Sequence, residues 1–408
     1  MTGSSCLAVC CCLLIAGTAV AEPLTIRNPA APPTVETWHL RELWRLDNDE
    51  DPDLPLLGVV NVAAADADGT VYLLDHQLAH VLKVSAGGKV LGTVGRSGQG
   101  PGEVERPYTL FTTDRGQLGV VQAFPGKIVL LNPDGTPDGG LAAGGENPSF
   151  TWAAQRGGNL VAVAQTLVFG AADARITHKV LARLDADGGC DTVYFERTAE
   201  TRYDPPEMHE RDTWFPDQAW ALAGDGSVLV ATDRDAYRLT WFEPDGGVRR
   251  VITRDFAPHV RTDAERREVL DSLRLWGRDG ELEPRKTILD TEPALHRIQV
   301  ARDGRIWVQS CDRQRDLPAG VHCRYDVFDA AGHLEKEVRI AYPVDRDRDM
   351  FTMLDDGRFV LFRNVRSALD AMYAGVESRA DENEAKLAEV DEADLVLQVI
   401  LLERDAGP

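Results

Sequence analysis

From residue 60 onward the chain alternates short apolar runs with Asp-Gly or Gly-Gly pairs. NVAAADADGTVYLLD (61–75) opens the series. YTLFTTDRGQLGVVQ (108–122), TWAAQRGGNLVAVAQ (151–165), QAWALAGDGSVLVAT (218–232), HRIQVARDGRIWVQS (296–310) and MFTMLDDGRFVLFRN (350–364) repeat it. Short runs rich in Val, Leu, Ile and aromatic residues predict β-strands, and a glycine between two of them predicts a tight turn. Gly69, Gly116, Gly158, Gly226, Gly304 and Gly357 hold that turn position, where a positive φ is cheap only for glycine.

A second hairpin follows most of these. HVLKVSAGGKVLGTV (80–94), KIVLLNPDGTP (127–137), VLARLDADGGCDTVYF (180–195), YRLTWFEPDGGVRRVI (237–252) and YDVFDAAGHLEKEVRI (325–340) each turn on glycine. The unit is therefore four antiparallel strands, and its period of roughly 40 to 50 residues is that of a β-propeller blade. Six units fit the chain, which predicts an all-β, six-bladed propeller. The sixth unit lacks a strand: its third is LVLQVILLER (395–404), while TWHLRELWRLD (37–47) stands alone ahead of the first unit. Pairing the two closes the ring and leaves no open sheet edge. The expected organisation is a leader at 1–21, a linker at 22–36 and one propeller domain at 37–408.

The glycine-rich stretch TVGRSGQGPGEVERPY (93–108) invites a phosphate-loop reading. Gly95 and Gly100 have the spacing, but Pro101 and Gly102 follow where Lys and Ser or Thr are required. No long helix follows to present its N-terminus to a phosphate. The stretch reads instead as a crossing between two blades. GRSGQGPGEVERP before a strand, the repeated strand-Asp-Gly-strand pattern and RIWVQS…YDVFDAAGHL resemble the secreted bacterial six-bladed propellers related to NHL repeats. That resemblance spans nearly the whole mature chain. It implies the fold but no single activity, since such propellers include binding modules, scaffolds, hydrolases and lyases.

The long insertions, 197–217, 255–295, 311–323 and 365–394, are expected on one face, opposite the Asp-Gly turns. Two read as helical. Thr262 and Glu265 form a capping box ahead of a stripe of Val269, Leu270, Leu273 and Trp276, with Gly277 as its stop. The second, from Arg366, carries nine acidic and three basic residues, as a solvated helix or a cover over the channel would. Tyr203, Trp214, Phe215 and Trp220 are candidates for an aromatic contact surface or for core.

Charge narrows the function. A net charge of −22 without a basic patch excludes nucleic acid as a partner. The apolar segment from Leu7 to Val20 with Ala19-Val20-Ala21 reads as a secretory leader, so the expected location is periplasmic or secreted. Cys10, Cys11 and Cys12 raise lipid anchoring as the alternative, although Val9 suits it poorly. No later stretch is apolar enough to span a membrane. Cys311 and Cys323 flank a predicted hairpin and form either a disulfide or two free thiols. Cys190 has no evident partner.

Eight residues before each turn glycine stand Asn61, Tyr108, Phe150, Gln218, His296 and Asp349. These begin the innermost strands and should ring the channel mouth. Their polar members suit a small polar ligand, and His296 with Asp349 would be metal ligands from adjacent blades. His76 and His80 fall in a loop; no metalloprotease, serine-hydrolase or calcium-loop motif is present. The expected function is thus ligand or protein binding outside the cytoplasm, the partner being an envelope protein or a small polar molecule, with no cofactor. The alternative is a metal-assisted hydrolase or lyase at the channel mouth, using a divalent ion.

Overall fold

The computed structural model describes residues 22–406 except Pro52, 171–173, Asp279, 311–316 and 375–395. The expected leader, Cys311 and most of the acidic insertion lie outside the described residues. The chain is mostly β, in a propeller-like succession of antiparallel four-stranded meanders.

The first unit runs Val60–Ala65, Val71–Asp75, His80–Val84 and Val90–Val94; the second runs Pro107–Thr112, Leu118–Gln122, Lys127–Leu131 and Pro137–Ala142. The third runs Ser149–Arg156, Asn159–Phe169, Ala174–Leu184 and Cys190–Tyr203, and Pro206–His209 and Arg285–Thr287 extend it. The fourth runs Trp220–Leu222, Val228–Ala231, Arg238–Phe242 and Val248–Arg254. The fifth runs Leu295–Val300, Ile306–Ser310, Val321–Phe328 and Leu334–Ala341. The sixth runs Met350–Met353, Phe359–Arg363 and Gln398–Arg404, and takes Val35–Asp47 as its fourth strand. The turn glycines named above adopt φ between +76° and +87°.

Burial follows position within a unit. All of Val71–Asp75 is buried because second strands are sandwiched between neighbouring units, whereas the outermost Pro137–Ala142 is almost wholly exposed. Apolar clusters knit each unit to the next. Leu74 and Val81 meet Leu110 and Val120; Val121 and Ile128 meet Phe150 and Ala162; Val163 and Leu181 meet Trp220 and Val230. Leu239 and Ile252 meet Ile306 and Phe328, and Trp307 and Val338 meet Phe359 and Ile400. The last unit also packs on the first, with Trp44, Phe362 and Val399 against Val71, Leu73 and Leu82.

The N-terminal strand does more than expected. Leu40 to Asp47 pairs antiparallel with Gln398–Arg404, while Val35 to His39 pairs parallel with Glu337 to Ala341 of the fifth unit. The stretch read as a linker contains a further strand, Leu24–Asn28, parallel to Val248–Arg254.

Two insertions depart from expectation. The stretch 197–217, expected as an insertion, continues the sheet to Tyr203 and again over Pro206–His209, because the third unit's strands run on beyond the length of the others. The capping box at Thr262 and Glu265 is present, but its helix, Asp263–Ser272, ends before the apolar stripe does. Leu275–Gly277 forms a hairpin strand instead, with Leu275 buried and Trp276 exposed. A buried ion cluster fastens this insertion: Glu210 accepts from Arg234 and Arg261 at 2.6 and 2.7 Å and from the Leu289 amide at 2.8 Å.

Candidate functional site

The innermost strands share a local irregularity. Asn61, Tyr108 and His296 are each the extra residue of a β-bulge, and Thr151 and Trp152 sit in another. Bulges re-aim side chains near sites. Here they stand around a cavity of about 520 Å³, lined by Asn61, Tyr108, Trp152, Gln218, Arg297 and Gln299 among others. That volume lies within the ~300–1,000 Å³ of small-molecule sites. Small residues such as Ala63, Ala64 and Ala221 keep it open.

At its other end the cavity meets a second one, of about 640 Å³, among the Asp-Gly turns, and the two share Arg156 and Asp355. Arg156 of the third unit donates to Asp355 of the sixth at 2.6 Å, and Arg302 of the fifth donates to the same carboxylate at 3.1 Å. Arg302 also reaches the carbonyls of Ala65 and Asp66, and Arg156 that of Thr112. This knot forms a polar floor, and the upper cavity is a cup.

The cup wall is polar and partly unspent. Arg297 gives Nε and Nη2 to Gln218 Oε1 and Nη1 to Thr352 Oγ1. Burial lowers its pKa, and among the described residues no carboxylate pairs with it. The other charges of the wall are balanced: Asp217 holds Lys179 at 2.5 Å and Asp355 holds Arg156. His76 Nδ1 meets the Pro107 carbonyl at 2.8 Å, so it carries the proton and leaves Nε2 an acceptor. Burial lowers the His76 pKa and keeps the ring neutral. His76 Nε2, Asn61 Oδ1 and Gln299 Oε1 are buried atoms without a hydrogen-bond partner among the described residues. Trp152 and Tyr108 stand edge to face at 6.0 Å in the same wall.

Of the positions expected at the channel mouth, Asn61, Tyr108 and Gln218 line the cup. Phe150 does not: it is fully buried between the second and third units, and Trp152 takes its place in the wall. Asp349 is buried, and its carboxylate accepts from the amides of Asp345 and Asn364 at 2.9 and 3.0 Å. As a metal ligand it would have to surrender those bonds. His296 keeps an exposed edge, yet withdrawal from water and the Arg297 charge push it down to about 4. Among the described residues no three His, Cys, Asp or Glu side chains converge as a metal site.

Sequence reasoning missed Arg297, Gln299, Trp152, Arg156 and His76 as cup residues. Alternation along Leu295–Val300 carries a signal for Arg297 and Gln299, which are polar residues two apart on an innermost strand. His76 was legible only as a loop residue, because its proximity to Pro107 is tertiary.

The glycine-rich crossing holds an anion of its own. Glu103 accepts from the Gly100 amide at 2.8 Å and from Arg96 at 2.6 Å, and these bonds hold its carboxyl below the usual range. A Cβ on Gly98 would fall 2.2 Å from that carboxylate. The glycines make room for Glu103.

The aromatic candidates divide. Phe215 and Trp220 are buried in the core between the third and fourth units, which decides for core over contact surface at these two positions. Trp214 is half-buried, 5.9 Å from Phe195 with the Arg197 guanidinium 5.8 Å from its ring. Cys323 is buried and free, and burial pushes its thiol up to about 12; Cys311, its expected disulfide partner, lies outside the described residues. Cys190 is exposed and free. No described helix is long and apolar enough to cross a membrane.

No family model matches the chain, and no curated protein matches it. Solved structures resemble it in outline. A protein from Bacteroides fragilis is 11% identical, with a TM-score of 0.47 over 91% of this chain and 100% of its own. A gluconolactonase from Xanthomonas campestris is 13% identical, with a TM-score of 0.42 over 89% of each chain. Virginiamycin B lyase from Staphylococcus aureus is 10% identical, with a TM-score of 0.38 over 80% of this chain and 81% of its own. Likenesses this distant transfer no activity to the chain.

Proposed function

We propose that the chain is a closed six-bladed propeller, of the secreted kind related to NHL repeats, that binds a small polar ligand in the cup. Packing of the sixth unit on the first and the pairing of Leu40 to Asp47 with Gln398–Arg404 support closure. The apolar Leu7 to Val20 segment supports an extracytoplasmic location.

The observation that carries the binding reading is the unspent polarity of the wall. A buried polar atom without a partner costs about 1–3 kcal/mol. Asn61, His76 and Gln299, which all belong to the lining of a space large enough for a ligand, each carry one. A ligand toward which these side chains turn, and which donates to them, recovers that cost, and the Trp152 ring adds an apolar surface to the wall.

The test is native mass spectrometry of the protein after exposure to a small-molecule envelope extract and gel filtration. One retained small molecule per chain, lost in Gln299→Leu with an unchanged melting temperature, is the expected result. A wild-type chain that retains nothing would overturn the reading. Metal content tests the premise of the hydrolase or lyase alternative: a divalent ion held by the wild type and lost in His296→Ala would support it, and turnover of esters, lactones or peptides would then decide it.

A further inference from the structure

We infer that the ligand of the cup is a small carboxylate bearing hydroxyl groups, with its anionic end on Arg297. The inference rests on the cup-binding reading and adds the ligand's charge and donor pattern.

Arg297 is the carrying observation. A guanidinium has five N–H groups in a fixed fork. Three are spent, on Gln218 and Thr352, both neutral. Five less three leaves two, one on each Nη. A cation withdrawn from water is retained where an anion completes it, because isolated buried charge is costly. Asp217 and Asp355, the carboxylates of the wall, are already bound to Lys179 and to Arg156 with Arg302. The cup is therefore locally positive inside a chain of net charge −22.

The rest of the wall sets the other end of the ligand. His76 Nε2, Asn61 Oδ1 and Gln299 Oε1 are acceptors, so they call for donors. A bare inorganic anion offers them little, whereas a hydroxylated carboxylate serves both the cation and the acceptors. Trp152 adds a ring face suited to the C–H side of a hydroxylated chain or ring.

A purely structural role for Arg297 is the competing account, since it ties Gln218 of the fourth-unit entrance to Thr352 of the sixth. Isothermal titration calorimetry separates the two, with matched acid and amide probes. The pairs are glucuronate with glucuronamide and lactate with lactamide; inorganic phosphate is the bare anion. Glucuronate should bind at least ~10-fold tighter than its amide, about 1.4 kcal/mol, and tighter than phosphate. That preference should vanish in Arg297→Gln and survive in part in Arg297→Lys, which keeps the charge but not the fork. If Arg297→Gln fails to fold, the acid-to-amide ratio in the wild type still decides. Amides that bind as well as acids overturn the inference and leave the cup-binding reading standing. Acids that give no binding overturn it as well, and retention of an extract molecule then judges the cup separately. Phosphate binding tighter than glucuronate overturns the hydroxylated carboxylate in favour of a bare-anion site.

Discussion

At the scale of single residues, the chain fixes several side chains in unusual protonation states. His76 and His322 are held neutral by burial, His322 down to about 4, helped by the nearby Arg346 charge. His322 packs edge-on to Phe351 at 5.1 Å. An unfolded histidine titrates near ~6.5. For His322 the unfolded chain therefore binds more protons than the folded one between pH ~6.5 and ~4, and His76 acts in the same direction. Stability from these groups is complete above pH ~6.5 and declines as pH falls toward ~4. His296, more exposed, contributes least. Denaturant unfolding measured from pH 8 to 4.5 should show that decline, and His322→Phe should make it shallower. A flat wild-type profile over that range would refute the assignment.

At the scale of elements, strands form where the sequence is apolar and turns where glycine permits, but the insertions are held by chemistry that spacing does not reveal. The 255–295 segment is anchored by Glu210, which receives Arg261 from its start and the Leu289 amide from near its end. Burial raises the Glu210 carboxyl, but hydrogen bonds from Arg261, Leu289 and Arg234 outweigh it and lower the pKa. Glu210→Gln removes the shared carboxylate from two buried guanidinium groups, of which Arg234 keeps Asp235 at 2.6 Å. Loss of one partner from a buried ion cluster costs about 3–5 kcal/mol. The expected outcome is a fall in unfolding free energy of about 3 kcal/mol, with proteolysis by trypsin opening within 255–295. An unchanged stability would show that the cluster does not hold the insertion. The shortened helix at Asp263–Ser272 belongs here too: its cap was readable at Thr262, whereas its end depended on Leu275 being drawn into the interior.

At the scale of the whole molecule, the N-terminal strand joins what would otherwise be open edges. Val35–Asp47 pairs with the fifth unit through its first half and the sixth through its second, and contributes Trp44 and Leu46 to the cluster between the sixth and first units. A protein lacking residues 22–47 would expose Leu334–Ala341 and Gln398–Arg404 as unpaired edges, which invite aggregation. Circular dichroism should show no cooperative thermal transition for that variant. A sharp melt within a few degrees of the wild type would mean that the strand is dispensable.

The sequence alone determined the repeat, the turn glycines, the all-β class and the partnership of 37–47 with the end of the chain. Each is a local pattern or a count of strands, and local patterns survive without knowledge of neighbours. Equal spacing from the turns also puts equivalent residues at one end of the innermost strands, and Asn61, Tyr108 and Gln218 line the cup. Tertiary structure decided the rest. Bulges put Trp152 rather than Phe150 into the cup, and the packing of the sixth unit gave Asp349 to two backbone amides. Among the described residues Arg297 has no carboxylate partner, and Asp217 and Asp355 face Lys179, Arg156 and Arg302 instead. Whether a charge is balanced depends on which residues distant in sequence lie within a few ångströms of it, and spacing along one strand does not contain that information.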